Sequence, residues 1–259
     1  MPYTINAGIR IHYETEGTGP PLILHHGLTQ TLEDWRDFGY TAALRRHFRL
    51  ILIDARGHGA SAKPHDEQSY ALPLRVADIT AVLDAEAIDQ AAFWGYSMGG
   101  FIGFGMAKFA PNRLTALVIG GAAPYDRIRT PMRTLLRATI PLGTAAIVAA
   151  FEPLTGPMPP TYATRLAAND FEAIAAMSFD EPGIHPILPT LKIPICLYCG
   201  TTDPVFPHTQ TAATEIPNAR FIPLEGASHM EAFYHSETIL PGVMTFLNNT
   251  QEAEHPSIP

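Results

Sequence analysis

The sharpest local signal of chemistry in the chain is Gly95-Tyr96-Ser97-Met98-Gly99-Gly100. It stands directly after the apolar run 91–94 and directly before a helical pattern over 101–109, so the serine falls on a strand-to-helix turn. Such a turn lifts a hydroxyl above a sheet, and glycines two residues to either side, Gly95 and Gly99, remove the Cβ atoms that would collide there. A helix starting at this point aims its first N–H groups and positive end toward charge developing beside Ser97. Without any chemistry, the same residues would be a helix N-cap serine flanked by close-packed glycines.

A serine hydroxyl is a weak nucleophile at neutral pH, so the chemistry requires a histidine base and an acid to orient it. Eleven histidines are available. His229, in Gly226-Ala227-Ser228-His229-Met230-Glu231, follows an edge-strand candidate and precedes the last helix, and it alone fits the chain order serine, acid, histidine. His25 and His26 close an early strand, and His58 sits between Gly57 and Gly59; each has the alternative of a structural role, bonding loop backbone. The acid candidate is Asp203, in Cys199-Gly200-Thr201-Thr202-Asp203-Pro204 directly after a strand, with Asp126 as its rival from an earlier strand end. An oxyanion needs two further donors. The backbone N–H of Met98, the residue after the serine, supplies one, and the N–H of Leu28, turned into the pocket by Gly27, supplies the second. The adjacent pair His25-His26 does not make a metal site, because neighbouring strand residues face opposite ways and no carboxylate stands at ligand spacing.

These residues need elements to hold them. Short apolar runs bounded by turn residues alternate with helical-period segments, the pattern of a mostly parallel sheet covered on both faces. An opening hairpin is expected over 3–6 and 10–14. Core strands are expected over 22–25, 50–54, 92–96, 116–120 and 195–199, with an edge strand over 220–223. Helices are expected over 32–46, 74–87, 97–109 and 231–247. The alternation lapses over 122–191, where Pro153, Pro157, Pro159 and Pro160 separate helical stretches 132–150 and 161–178. This segment reads as a helical cap insertion over the strand ends where α/β sheets bind ligands, with core domain residues 1–121 and 192–250 around it and a frayed tail over 251–259.

Composition narrows the function. The 259 residues are 46% hydrophobic, which suits a filled core and excludes a mainly disordered chain. A net charge of −8 disfavours a nucleic-acid partner. Twenty glycines and 24 prolines are too many for a helical bundle. The two cysteines, Cys196 and Cys199, would point to opposite faces of a strand and cannot readily bridge. The polar start lacks a signal-peptide pattern, and no apolar run reaches membrane-spanning length, so a cytoplasmic location without a membrane span is expected. A homodimer through cap or sheet edge stays open.

On the glycine-flanked serine, the His26-Gly27-Leu28 segment, Asp54-Ala55-Arg56-Gly57-His58-Gly59-Ala60-Ser61, and the segments 200–203 and 226–229, the chain resembles an α/β-hydrolase-fold enzyme of the single-domain, cap-bearing kind over residues 1–248. The resemblance implies an α/β fold with a mostly parallel twisted sheet. Ser97, Asp203 and His229 would be its catalytic triad, and Leu28 and Met98 its oxyanion hole, with no cofactor. The 54–61 stretch is a landmark of the family that shapes the neighbouring loop. Dehalogenases and epoxide hydrolases of this fold typically carry aspartate where Ser97 stands, which argues against both activities. Hydrolysis of a small-molecule carboxylic ester or lactone is the leading expectation. The cap residues Met132, Leu135, Leu136, Ile147, Phe151, Met158 and Met177 suggest an apolar group in it, unless they serve only to pack the cap. Carbon–carbon or amide hydrolysis and cofactor-free perhydrolysis share these motifs, and so do slow or inactive small-molecule receptors of the same fold.

Overall fold

The computed structural model describes residues 2–155 and 158–254. The chain opens with a hairpin, β1 (Tyr3–Asn6) and β2 (Ile9–Glu16), closed by a two-residue loop in which Ala7 and Gly8 both have positive φ. The strands β3 (Pro21–His25), β4 (Arg49–Ile53), β5 (Ala91–Tyr96), β6 (Leu114–Gly120), β7 (Ile195–Gly200) and β8 (Arg220–Leu224) follow. All eight form one sheet in the order β1-β2-β4-β3-β5-β6-β7-β8, antiparallel from β1 to β4 and parallel thereafter.

The central strands are apolar at nearly every position because both faces are covered. Ile23, Ile51, Phe93, Leu117 and Leu197 point to one side, where α3 (Leu72–Ala85), α4 (Met98–Phe109) and α9 (Phe206–Glu215) pack. Leu22, Leu24, Leu50, Leu52, Trp94 and Val118 point to the other. There they meet α1 (Leu32–Asp37), α2 (Tyr40–Leu44), α10 (Glu231–Tyr234) and α11 (Ser236–Glu254). That second core is organised by aromatic rings. Trp35 makes edge contacts with Tyr40, Trp94 and Phe233 at centroid separations of 4.8, 5.7 and 5.1 Å. The Trp94 indole N–H donates to the Tyr198 hydroxyl at 3.1 Å.

Between β6 and β7 lie α5 (Thr130–Thr139), α6 (Thr144–Thr155), α7 (Pro160–Ala167) and α8 (Phe171–Met177), and no strand of the sheet. Their apolar side chains Leu136, Ile147, Leu166 and Ile174 continue the core that holds α4. Charged and polar ties reach the sheet domain as well: Arg165 bonds Asp34 at 3.1 Å, and the Asn169 amide donates to the Thr29 carbonyl at 2.9 Å.

The structure departs from the sequence reading at several helices. The segment 32–46 is two helices, because Gly39 takes φ 82 and turns the chain between α1 and α2. Helix 231–247 is divided at His235. The stretch 132–150 is interrupted by a 3₁₀ turn over Ile140–Leu142 and by Gly143 at φ 89. Residues 161–178 are split where the Asp170 side chain caps α8 by accepting the Ala173 N–H. The expected tail is helical as far as Glu254, and residues 255–259, like Pro157, lie outside the described residues. Cys196 and Cys199 are buried and unbridged. Among the described residues no helix is long and apolar enough to cross a membrane.

Because Trp35 is fully buried at the hub of the aromatic cluster, Trp35→Ala is expected to cost about 3–5 kcal/mol. Urea denaturation measures this, and a loss below about 1 kcal/mol would show that the cluster is not what holds α1 to the sheet.

Candidate active site

Ser97 joins β5 to α4 with φ 52 and ψ −109, a conformation that a residue with a side chain adopts only when its surroundings force it. The forcing is visible. The Ser97 N–H donates to the Gly120 carbonyl at 2.8 Å, and its own carbonyl accepts the Phe101 N–H at 3.0 Å. A Cβ on Gly95 would collide with the Gly99 carbonyl, and one on Gly99 with the carbonyl of His25 on the neighbouring strand. Backbone crowding from three sides thus requires both glycines.

The loop after β8 brings His229 over the serine: Nε2 lies 3.0 Å from Ser97 Oγ, and Nδ1 lies 2.6 Å from Asp203 Oδ2. Asp203 is buried on the loop after β7, and its second oxygen accepts the Val205 N–H at 3.0 Å. The two loops touch so closely that a Cβ on Gly200 would overlap the Ala227 carbonyl. From above the elbow, the Tyr96 hydroxyl donates to the His229 carbonyl and fixes the histidine backbone. Asp126 does not take part. It is exposed, and its Oδ1 accepts the Gly183 N–H at 2.6 Å.

Facing Ser97 on the other side is the turn after β3. A Cβ on Gly27 would come within 2.7 Å of Gln30 Oε1 and 3.3 Å of Ser97 Cβ, so glycine lets this turn sit against the serine without displacing either. The turn is closed by the Gly27 N–H to Gln30 Oε1 at 2.7 Å and by the Gln30 N–H to the Gly27 carbonyl at 3.3 Å. The Thr29 N–H goes to His58 Nε2 at 3.1 Å. None of these bonds uses the N–H of Leu28, and the bonds at the start of α4 do not use that of Met98. Leu28 lines the same cavity as Ser97, and Met98 follows the serine in the chain.

The histidines that the sequence offered as alternatives are placed as backbone clamps. His26 Nε2 accepts the Ala55 N–H at 3.1 Å while its Nδ1 bonds the Gly27 carbonyl at 2.7 Å. Accepting a backbone N–H requires a neutral ring. Burial supplies that state, since desolvation pushes both His26 and His58 below the ordinary histidine value and His25 down to about 3. Asp54 anchors the same region. It accepts the Leu32 and Ala60 N–H groups, each at 2.9 Å, and pairs with His12 Nδ1 at 2.8 Å. Burial alone would raise its carboxyl, but these bonds, His12 foremost, hold it down to about 2.

Ser97 and His229 open onto two adjoining cavities, about 140 and 530 Å³, which also share Arg129 and Met132. The smaller is walled by Leu28, Phe151, Tyr162 and Met230. Of the cap residues singled out from the sequence, Met132 and Phe151 reach these walls, whereas Leu136, Ile147 and Met177 are spent on packing. Arg129 carried no local sequence signal.

A carboxyl held at about 2 in the folded state against an ordinary 3.8 contributes stability that is present above about pH 4 and lost as pH falls through 2. Acid denaturation should therefore draw about 2 kcal/mol from Asp54. Asp54→Asn, monitored by circular dichroism, should flatten the pH dependence between 4 and 2; an unchanged slope would count against that anchoring role.

Comparison with known proteins agrees with this architecture. A family model described as alpha/beta hydrolase fold matches residues 20–138, a span that includes Ser97 and the Leu28 turn. Bifunctional epoxide hydrolase 2 of Mus musculus is 35% identical over 134 residues, 51% of this chain, and the chain spans only 24% of that relative's length. A non-heme chloroperoxidase of Streptomyces lividans is 27% identical over 285 residues, covering 95% of this chain and 99% of the relative. The crystal structure of the enol-lactonase from Burkholderia xenovorans superposes with a TM-score of 0.84 at 25% identity, covering 95% of this chain and 100% of that one. Sheet order, the strand-to-helix serine and these similarities give the chain the α/β-hydrolase fold.

Proposed function

We propose that the protein is a serine hydrolase that cleaves a small-molecule carboxylic ester or lactone through an acyl-enzyme. The observation that carries this reading is the unbroken hydrogen-bonded chain from Ser97 Oγ through His229 to Asp203. His229 takes the Ser97 proton as the oxygen attacks the carbonyl, and Asp203 holds the imidazole so that Nε2 faces the serine and stabilises its cationic form. The N–H groups of Leu28 and Met98 receive the oxyanion. The proton then passes from His229 to the leaving oxygen, and a water activated by the same histidine releases the acid and restores the serine.

The helical segment 122–191 serves in this reading as a cap, its Met132, Phe151 and Tyr162 forming the roof of the cavity above the serine. Ester and lactone cleavage need nothing beyond these groups, and one structural relative is named an enol-lactonase. A serine at position 97 argues against epoxide opening, in spite of the similarity to an epoxide hydrolase over half the chain.

A fluorophosphonate is expected to label Ser97, and Ser97→Ala should lose the label and lower kcat/KM on an activated ester by roughly 10⁴-fold or more. Asp203→Asn should preserve the fold yet lose about 10⁴ in kcat by favouring the wrong imidazole tautomer. Ester turnover that persists at the wild-type rate in Ser97→Ala would overturn the assignment. A panel of esters, lactones, anilides, a β-diketone and acetate with peroxide separates ester hydrolysis from the related reactions. Stabilisation by a ligand without turnover would instead identify a receptor.

A further inference from the structure

Arg129 is a cavity-lining group whose chemistry the Ser97–His229–Asp203 chain leaves unused. It lines both cavities together with Ser97 and His229. Its backbone N–H is held by Asp180 at 2.6 Å, but its guanidinium makes no hydrogen bond or ion pair with any described residue. A guanidinium carries five donors and keeps its charge at neutral pH. Desolvation pulls its pKa down to about 10, Glu181 opposing that shift and Arg75 adding to it.

The neighbouring arginines are all committed. Arg133 pairs with Glu67 at 2.8 Å, and Arg165 with Asp34 and Asp37 at 3.1 and 2.6 Å. Glu181, the acid beside Arg129, is already bonded by Arg75 and approached by Arg127 at 3.6 Å. Three guanidiniums therefore surround one carboxylate. The two acids on the cavity wall, Asp203 and Asp126, bond to other groups. Asp203 is taken by His229 and the Val205 N–H, and exposed Asp126 by the Gly183 N–H. A cation partly withdrawn from water and without a partner is costly, and a ligand anion that supplies the partner recovers that cost on binding.

We propose that the site takes an ester or lactone bearing a free carboxylate, and that the Arg129 guanidinium grips that carboxylate while Ser97 attacks the ester carbonyl. The proposal rests on the acyl-transfer reading and names its substrate class. The larger cavity, with Phe101, Met132 and Val205 between the polar ends, suits a short apolar linker between the two functions.

The test compares enzyme-dependent nitrophenolate release, corrected for the spontaneous intramolecular release of the acid, from mono-p-nitrophenyl glutarate and from its neutral methyl ester. A charge-assisted fork should make kcat/KM about tenfold to a hundredfold higher for the acid in the wild type. Arg129→Met should bring that ratio to about one, Arg129→Lys should give an intermediate value, and Arg137→Met, which removes an exposed charge from α5, should leave the wild-type ratio. Affinities of 3-carboxyphenylboronate and phenylboronate, measured by calorimetry, read the same preference without turnover: about tenfold tighter binding of the carboxylate in the wild type and none in Arg129→Met. Equal ratios in the wild type, or a preference that survives Arg129→Met, would overturn the proposal. Ser97-dependent release without preference sinks the Arg129 assignment alone, whereas release independent of Ser97 sinks the acyl-transfer reading beneath it.

Discussion

Everything around the site depends on one crowded crossing of backbone. At Ser97 the chain must leave β5 and enter α4 with a positive φ, while the carbonyl of His25 presses against Gly99 and the turn at Gly27 presses against Ser97 itself. Three segments far apart in sequence meet at contact distance with no side chain between them. An added methyl group at Gly95 or Gly99 has nowhere to go, because what it would meet is backbone. The strain of the serine is tolerated because the surrounding parallel strands over-determine it.

From that crossing outward, the site is held by bonds to main chain. His26 and His58 reach backbone N–H groups 29 residues away and join the turn after β3 to the loop after β4. Asp54 ties that loop to the start of α1. Thr29 carries the linkage into the helical segment, since its hydroxyl bonds the Tyr162 hydroxyl at 2.8 Å and its carbonyl bonds Asn169. The placement of the Leu28 N–H is therefore coupled to the seat of α7. A displacement of that helix would strain the turn that carries Leu28.

The sheet was legible in the sequence for a physical reason: strands buried on both faces must be apolar throughout, and runs such as 22–25 and 116–120 stand out against turn residues. Helix boundaries were less so. Apolar periodicity passes through Gly39 and His235 although the chain turns at both, and α9 went unseen because it buries little more than Thr209 and Ala212. Ser97, Asp203 and His229 could be singled out because each sits at a strand end with a distinctive local pattern. The clamping roles of His26 and His58 had no such pattern, since their partners are backbone atoms whose position only the folded sheet defines. Arg129 was illegible for a further reason: what distinguishes it is a missing partner, and the absence of a contact leaves no trace in sequence.

The aromatic core on the α1 side has a practical corollary. Both tryptophans of the chain, Trp35 and Trp94, are fully buried there, 5.7 Å apart, on the face of the sheet away from α4. Their emission is that of a single spectroscopic reporter, quenched or shifted as a pair and sensitive to the seating of α1, α2 and α10. Because Arg165 of α7 is bonded to Asp34 and Asp37 of α1, a shift of α7 is expected to reach this reporter too.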